Sequence, residues 1–403
     1  MPANILYFVS AAGNDTTAVP NDPTRPYRSP RGAYADIPSD ITGGTGDHVI
    51  RLMDGSTYGQ LHITAKLTDA GHRLVVEAAD GVTPTLDAHS TADGSVGERA
   101  DNPALRIDAN YVVVQGLRFN NTSLDTLISR YFGGAEVMVR LEGSHVTFTD
   151  NYFDGNERAP TIKDIFLYIC GAASENVISD NRFDFSGGKS LIHISASCGR
   201  GRPGRQIIRN NVLSRFGNKP QFVCAAINFG GASGTLAGHN SVVETNTIYD
   251  NGDGCYGLLN TNGSILTVRN NIFSKITGHR YAIGCSGVGG ASSGIAHNSL
   301  MYGNTNDVEA RCGAGGGWKL DTYYSEDPHF VDTAAAPPDL HVQSTTGSRR
   351  SGTLQWTTDE HCSVAIDRAS AAEAFDREPV PNGGRRNLGA YGNTPEASKS
   401  CAR

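Results

Sequence analysis

The middle of the chain repeats a short pattern in which apolar residues flank a polar corner that contains asparagine. Successive copies begin about 25–35 residues apart, and the residues between them vary in number. A period of this size is typical of solenoid proteins, in which each repeat packs only on its neighbours and insertions lie in loops. The copies span Phe148–Phe153, Ile178–Phe183, Ile208–Leu213, Val243–Ile248, Val268–Phe273 and Ile295–Leu300.

The asparagine at each corner has a structural explanation. A coil that turns sharply between two short strands leaves backbone polar groups inside the stack, and an inward amide can satisfy them. Stacked amides also bond from one coil to the next, as in other stacked β structures. We therefore predict a structural ladder, whose members are Asn151, Asn181, Asn211, Asn246, Asn271 and Asn298.

A further strand with alternating apolar residues precedes most of these corners. Period-two alternation directs the apolar residues inward and the others outward. These strands are Leu105–Asp108, Val139–Glu142, Leu167–Cys170, Ile192–Ser195, Ile227–Phe229 and Ile283–Ser286, with earlier coils at Val49–Leu52 and Leu74–Glu77. The pattern predicts an all-β chain that folds as a single right-handed parallel β-helix, a solenoid with an asparagine ladder.

The two ends of the chain are expected to act as caps. Ser29 followed by Pro30 is a helix-start signature, with serine at the N-cap and proline at the first helical position. We predict an N-terminal strand and capping helix in residues 1–45, coils in 46–304, and an irregular C-terminal cap in 305–403. The helix would cover exposed strand edges at the bottom of the stack.

Three segments near the ends resemble secreted bacterial right-handed parallel β-helix proteins of the pectate-lyase-like group. They are Tyr7–Asp15, Glu326–Asp332 and Pro381–Thr394. The resemblance implies the architecture over nearly the whole chain. Members of this broad group include polysaccharide lyases, glycoside hydrolases, epimerases, phage-type depolymerases and non-catalytic surface proteins, so the chemistry must be argued from the site.

Composition narrows the classes of protein. The net charge of −7 disfavours a nucleic-acid binder as a bulk property. The apolar runs are too short to span a membrane. The eight cysteines form no CxxC pair, which argues against zinc. They allow disulfides in an exported protein, although Cys170 and Cys285 equally suit buried thiols. We expect a secreted or periplasmic protein, although no signal peptide precedes the first apolar segment.

Outward positions of the alternating strands form a polar column. Aligned by coil, its members are Arg106, Arg140, Tyr168, His193, Asn228 and Gly284. The next outward column holds Asp108, Glu142, Cys170, Ser195, Gly230 and Ser286. The side chains of this column repeat at single-coil spacing, and an extended sugar chain would fit along it.

Basic residues concentrate beside this column although the whole chain is acidic. The loop after His193 contains Arg200, Arg202 and Arg205 on a glycine-rich segment, and Lys189 precedes the His193 strand. Guanidinium groups bind carboxylates or sulfates in a bidentate manner. The arrangement predicts an anionic polysaccharide as substrate, with Arg106, Asn228 and the three loop arginines as binding residues.

β-Elimination of a uronate needs a cation on the carboxylate, a base for the C5 proton and an acid for the leaving oxygen. Arg140 or Arg106 suits the first role. His193 suits the base because histidine titrates near neutral pH, and Tyr168 suits the acid, with exchange of roles for the opposite stereochemistry. Lys189 is the reserve base. A calcium ion is compatible with this chemistry, but no clean carboxylate cluster indicates a metal.

Two other functions stay open. A glycoside hydrolase needs two carboxyl groups about 5–10 Å apart, for which Asp108 and Glu142 on adjacent coils are the candidates, with Asp164 and Glu136 in reserve. A non-catalytic polysaccharide-binding or surface β-helix is the third hypothesis. His329 is assigned to the tail pattern and not to a catalytic site. We take a monomer as the default, and a phage-type depolymerase would be a trimer.

Overall fold

A computed structural model describes residues 3–44, 46–64, 66–87, 103–120, 135–155, 163–186, 190–196, 201–217, 224–231, 235–252, 254–261, 263–285, 293–309, 312, 318–351, 353 and 355–402. The chain divides into two compact units, residues 1–206 and 207–403. Within each unit the strands of successive coils pair in parallel, and the predicted parallel β-helix is confirmed. No helix in the described ranges is both long and apolar enough to span a membrane.

The first unit contains one short helix and most of the early strands. Helix α1 spans Pro30–Asp36. The strands are β1 Ile5–Val9, β2 His48–Leu52, β3 Thr57–Tyr58, β4 Leu61–Ile63, β5 Leu74–Ala78, β6 Thr85–Asp87, β7 Leu105–Ile107, β8 Val112–Gln115, β9 Arg118–Asn120, β10 Ala135–Leu141, β11 Thr147–Thr149, β12 Tyr152–Asp154, β13 Lys163–Ile169, β14 Asn176–Ser179, β15 Arg182–Ser186 and β16 Ser190–Ser195.

The second unit continues with coil strands and ends in short antiparallel pairs. Strand β17 begins at the last residue of the first unit. The strands are β17 Gln206–Arg209, β18 Val212–Phe216, β19 Ala225–Gly230, β20 Ser241–Glu244, β21 Thr247–Tyr249, β22 Tyr256–Asn260, β23 Ile265–Arg269, β24 Ile272–Ser274, β25 Ile283–Gly284, β26 Ser293–Tyr302, β27 Trp318–Tyr324, β28 Phe330–Asp332, β29 Asp339–Val342, β30 Ser348–Arg349 and β31 Trp356–Thr357.

Helix α1 begins as the sequence predicts. The Ser29 hydroxyl accepts a hydrogen bond from the Gly32 amide at 2.9 Å, and Pro30 occupies the first turn. Ala33 is fully buried, and the helix packs near β1, β2 and β4. The side-chain bond satisfies one of the amides that a helix start leaves unpaired.

Aromatic side chains stack through the core of the first unit. Phe119, Phe153 and Phe183 occupy paired positions on three successive coils. Their ring centroids are 4.9 Å apart for the first pair and 4.3 Å for the second, and all three side chains are fully buried. Parallel pairing therefore repeats the same inward position in each coil, which turns a sequence repeat into a continuous core.

The asparagine ladder is present in both units. In the first, the Asn181 Oδ1 accepts bonds from the backbone amide and the Nδ2 of Asn151, each at 3.0 Å. In the second, Asn246 bonds in the same way to Asn271, and Asn211 bonds to Asn246. The residue before each ladder asparagine has a positive φ, which forms the corner. The ladder therefore satisfies corner amides inside the stack.

The predicted ladder position at Asn298 is wrong by one residue. Strand β26 pairs His297 with Arg269 and Leu300 with Ile272, which places Ser299 opposite Asn271. Asn298 instead has the positive φ of the corner, at 46°. The segment offers adjacent polar residues and β26 runs through the corner unbroken, so spacing alone did not separate the two positions.

The cysteines are cross-linked. The structure contains the disulfides Cys224–Cys255, Cys285–Cys312 and Cys362–Cys401, and Cys170 is also disulfide-bonded. No cysteine in the described part of the chain is a free thiol. The alternative of buried free thiols at Cys170 and Cys285 is therefore wrong; Cys285 pairs with Cys312, 27 residues further along the chain. Such bonds restrict the unfolded chain.

The C-terminal tail packs on coils of the second unit. Buried Leu388 and Ala390 join a cluster with Val212, Tyr249 and Ile272. The Gly389 amide donates to the Asn270 carbonyl at 2.9 Å. Gly389 has a φ of 85°, and a Cβ there would lie 2.6 Å from Ile272 Cδ1, so only glycine fits this approach. We propose on these contacts that the tail caps this unit, although β27, inside the predicted cap of residues 305–403, still pairs in parallel with β26 as a coil strand.

A buried histidine links two parts of the tail. His341 Nδ1 lies 2.6 Å from Asp339 Oδ1, His341 Nε2 lies 3.5 Å from Glu396 Oε2, and its ring stacks on Tyr391 at 3.6 Å. Burial disfavours the charged imidazole, but the hydrogen bond to Asp339 and the charges of both carboxylates outweigh it and raise the pKa of His341. Burial also acts on Asp339, yet His341 lowers the pKa of that carboxyl to about 2.

We expect this cluster to make the stability of the tail pH-dependent. A raised histidine pKa contributes stability that is complete below the ordinary value of 6.5 and is lost as pH rises through the folded value. Denaturant unfolding at pH 6 and pH 9 should show a fall on the order of 1 kcal/mol for the wild type. His341→Gln should flatten this dependence, whereas the exposed control His361→Gln should keep it. An equal decline in all three proteins would contradict the assignment.

Candidate functional site

Five outward side chains of the first unit form one line, which we call the polar line. Its members are His62, Arg106, Arg140, Tyr168 and His193. The strand register places His62 opposite Arg106, Arg106 opposite Arg140, Arg140 opposite Tyr168, and Tyr168 opposite His193. Consecutive members therefore sit one coil apart, at about 4.8 Å between backbones. The predicted alignment of the last four is correct.

Sequence reasoning missed His62. The signal was present, because Leu61 and Ile63 are buried on either side of an exposed His62. This is the same alternation that identified the other strands. The segment is only three residues long and lies before the first recognisable corner, so the repeat did not include it.

The arginines of the line are held by carboxylates of the neighbouring column. Arg106 bonds to Asp108 at 2.9 Å and reaches Glu142 at 3.3 Å, and Arg140 bonds to Glu142 at 2.7 Å. His62 Nε2 lies 3.1 Å from the other oxygen of Asp108. The two predicted hydrolase carboxylates are thus bridged by one guanidinium. The arrangement is an alternating network of charges that fixes both arginine heads on the face.

The other half of the line consists of a phenol and an imidazole and is more enclosed. Tyr168 and His193 are 7% and 6% exposed, and their rings meet edge-to-face with centroids 5.4 Å apart. Tyr168 also packs with Ile165, Cys170 and the half-buried Val137. The cluster holds the phenol and imidazole rings of adjacent coils in a fixed relation, next to the Arg140 coil.

A local change in alternation creates this enclosure. Tyr168 and Ile165 belong to the same outer cluster, although they are three residues apart, while Phe166 and Leu167 between them are both fully buried. Strict alternation is therefore interrupted at these two residues, while β13 keeps a constant register with both β10 and β16. The interruption leaves an apolar side chain on the outer face beside Tyr168.

The predicted basic loop is only partly described. Arg205 pairs with Glu175 at 2.8 Å, and Arg202 is exposed. Arg200 and Lys189 lie outside the described residues. The same holds for the side chains of Glu136, Lys163 and Asp164. Part of the local positive charge is therefore balanced by an acid on the preceding coil.

Asn228 lies in the second unit, in strand β19. It pairs in register with Leu259 of β22, and Leu259 pairs with Gly284 of β25. The predicted column, which placed Gly284 directly after Asn228, is therefore wrong by one coil. Strand β22 was missed because Tyr256–Asn260 contains an outward leucine where a polar residue was expected.

Two further predicted features concern metals and His329. Among the described residues, no group of three or more histidine, cysteine, aspartate or glutamate side chains is arranged to hold a metal ion. His329 stacks on His361 at 4.4 Å in the tail of the second unit, with its backbone amide bonded to Asp327. Its contacts belong to the tail, in keeping with the sequence assignment.

Comparison with known proteins bears on the fold. No family model and no curated protein matches the chain. The crystal structure of pectate lyase Pel9A aligns with a TM-score of 0.52 and 15% identity over 97% of this chain and 96% of that one. A rhamnogalacturonan lyase aligns with a TM-score of 0.47 and 12% identity over 89% and 96%. The first likeness confirms the pectate-lyase-like parallel β-helix.

Proposed function

We propose that the protein is a carbohydrate-active enzyme that cleaves an anionic, uronate-containing polysaccharide by β-elimination. The observation that carries the proposal is the placement of Arg140, Tyr168 and His193 on three consecutive coils of one face. Arg140 and His193 are two coil spacings apart, about 10 Å between Cα atoms, with Tyr168 between them. The pectate lyase whose structure is similar to this chain belongs to the same reaction class.

Each residue has a role that follows from its chemistry. The Arg140 guanidinium binds the uronate carboxylate and stabilises the negative charge that develops when the C5–H bond breaks. His193 accepts that proton. As the C4–C5 double bond forms, the C4–O bond breaks and the Tyr168 hydroxyl donates a proton to the departing oxygen. The opposite stereochemistry at C5 exchanges the roles of Tyr168 and His193.

The carboxylate pair is less suited to hydrolysis. Asp108 and Glu142 both bond to Arg106, and Glu142 also bonds to Arg140. These ion pairs engage both oxygens of Asp108 and Oε1 of Glu142, and the adjacent guanidinium charges disfavour the protonated carboxyl that a hydrolase needs as its acid. We therefore assign the two acids to holding the arginines, with Arg106, Arg202 and Arg205 as further contacts for an anionic polymer. Glycoside hydrolysis is the alternative, since two carboxylates do lie on adjacent coils.

The disulfides support a location outside the cytoplasm. Such bonds form and persist in oxidising compartments. In the reducing cytoplasm the eight cysteines of the sequence would remain free thiols. None of the cysteines in the described ranges is free. We propose that the protein is secreted or periplasmic, where it would meet polysaccharides.

The reaction type can be read from the products. The protein should be incubated with acidic and neutral polysaccharides, with calcium and with a chelator, while ultraviolet absorbance and reducing ends are recorded together. β-Elimination predicts that absorbance of the unsaturated uronate rises in step with reducing ends, on acidic polymers alone. Reducing ends without absorbance would exclude elimination and favour Asp108 and Glu142. No signal in either channel would favour a binding protein.

A further inference from the structure

An aromatic cluster lies on the sheet of β19, β22 and β25 in the second unit. Ala225 pairs with Tyr256 in register, and the rings of Tyr256 and Tyr281 are nearly parallel, at 18° with centroids 6.4 Å apart. Tyr256 is 2% exposed and packs with Ala225 and Leu259. Tyr281 is partly exposed and lies against this cluster, so its ring offers an accessible apolar surface.

An arginine lies on the same cluster. The Arg280 guanidinium is centred 5.2 Å from the Tyr256 ring, and its Nη1 donates to the Tyr256 hydroxyl at 3.3 Å. Arg280 forms no ion pair with any carboxylate in the described part of the chain, in contrast to Arg106 and Arg140. A tyrosine ring orients the guanidinium without neutralising its charge. Within the described ranges, no acid therefore competes with a ligand for this guanidinium.

The packing depends on a glycine in the adjacent strand. A Cβ at Gly284 would lie 2.1 Å from Cε1 and 2.2 Å from Cδ1 of Tyr256. The Tyr256 ring thus lies directly over the Gly284 backbone, where no larger residue fits without displacing the ring. Gly284 was expected as one member of a polar column, and the structure gives it this steric role instead.

Disulfides hold the strands at both borders of the cluster. Cys224–Cys255 links the residues immediately before Ala225 and Tyr256, and Cys285–Cys312 begins directly after Gly284. The Cys285 amide also donates to Glu309 at 2.9 Å. Covalent links so close to the rings limit their movement, and a rigid surface loses less entropy when it binds a ligand.

We infer that Tyr281 and Arg280 form a sugar-binding subsite that takes one uronate residue of an anionic polysaccharide. The sugar ring packs on Tyr281, and its carboxylate receives the paired N–H donors of Arg280. Tyr256 supports both side chains from below. The choice of an acidic polymer rests on the proposed function. Binding at this subsite does not require that the chain cleave the polymer.

The test measures binding without turnover. In a His193→Ala background, calorimetric titration with oligogalacturonate, oligoalginate and a neutral oligosaccharide gives the dissociation constants. Arg280→Gln and Tyr281→Ala should each weaken binding of an acidic oligosaccharide about tenfold or more. Tyr281→Phe should retain it, because the ring surface remains. Arg368, which stacks on Tyr324 at 5.5 Å elsewhere in this unit, gives the matched control Arg368→Gln.

The outcomes separate this subsite from the catalytic proposal. Unchanged affinity in Arg280→Gln and Tyr281→Ala, or no binding of either acidic probe by the parent, overturns the subsite. If the subsite is overturned in this way but the wild type carries out elimination, the proposed function is still supported. Weakened binding in both variants without any elimination by the wild type supports the subsite and contradicts the lyase. Thermal unfolding of every variant distinguishes lost binding from lost folding.

Discussion

Replacing Tyr168 by phenylalanine is expected to lower kcat on an acidic polysaccharide by about 100- to 10,000-fold, the usual contribution of a general acid or base. The substitution removes the hydroxyl and keeps the ring, so its packing with Ile165 and its edge contact with His193 persist. Because the hydroxyl acts on the leaving oxygen and not on the bound carboxylate, KM should change little. Initial rates of unsaturated-product formation give both parameters.

The matching substitution His193→Gln should give a loss of similar size, and the double variant should lose little more than either single variant. Residues that act as one catalytic unit are strongly non-additive. Arg140→Ala should raise KM as well as lower kcat, because the Arg140 guanidinium binds the substrate carboxylate both in the ground state and in the transition state. Tyr152→Phe, at an outward tyrosine on another face of the same unit, is the control. Unchanged kcat in Tyr168→Phe and His193→Gln would remove both residues from the mechanism.

The largest expected effect on stability is that of Asn246→Ala, at about 3–5 kcal/mol. The Asn246 side chain accepts bonds from the amide and the Nδ2 of Asn211, each at 3.0 Å. It also donates to the carbonyl oxygens of Ile208 and Glu244 and to Asn271 Oδ1. Alanine removes one hydrogen-bond partner from each of these buried groups, and a buried polar group that is left unsatisfied costs about 1–3 kcal/mol.

Urea unfolding followed by tyrosine fluorescence and circular dichroism measures this loss. The exposed Asn306→Ala in the same unit is the control and should change the free energy of unfolding by about 0.5 kcal/mol or less. Asn246→Asp tests the role of the amide donors, since it keeps the size and loses the Nδ2 bonds. A loss below about 1 kcal/mol in Asn246→Ala would show that the ladder amides do not stabilise the stack.

Much of the architecture follows from the order of residues alone. The register of Arg106, Arg140, Tyr168 and His193 is set by the inward residues on either side of each, because period-two alternation in a parallel sheet leaves no other outward position. The ladder follows for a similar reason. A tight corner needs an inward amide, and the sequence places asparagine there with apolar neighbours on both sides.

The failures occur where the local pattern allows two solutions. At Asn298 and Ser299, either polar residue satisfies the spacing, and only the pairing of β26 with its neighbours distinguishes them. At β22, an outward leucine breaks the expected polarity, although Leu259 packs against Tyr256 on the outer face. Neighbouring coils decide such positions, and those neighbours are 25–35 residues away in the sequence.

The sequence by itself determined the coil repeat, the inward and outward sides of most strands, the ladder and the helix start at Ser29. These depend on local periodicity and on residues within one turn. Only the tertiary structure decided which groups the arginine side chains contact. Arg106 and Arg140 are held by Asp108 and Glu142, whereas Arg280 lies on a tyrosine ring. Ion pairing depends on side-chain reach between coils, to within an ångström, and no pattern of hydrophobic and polar positions contains that distance.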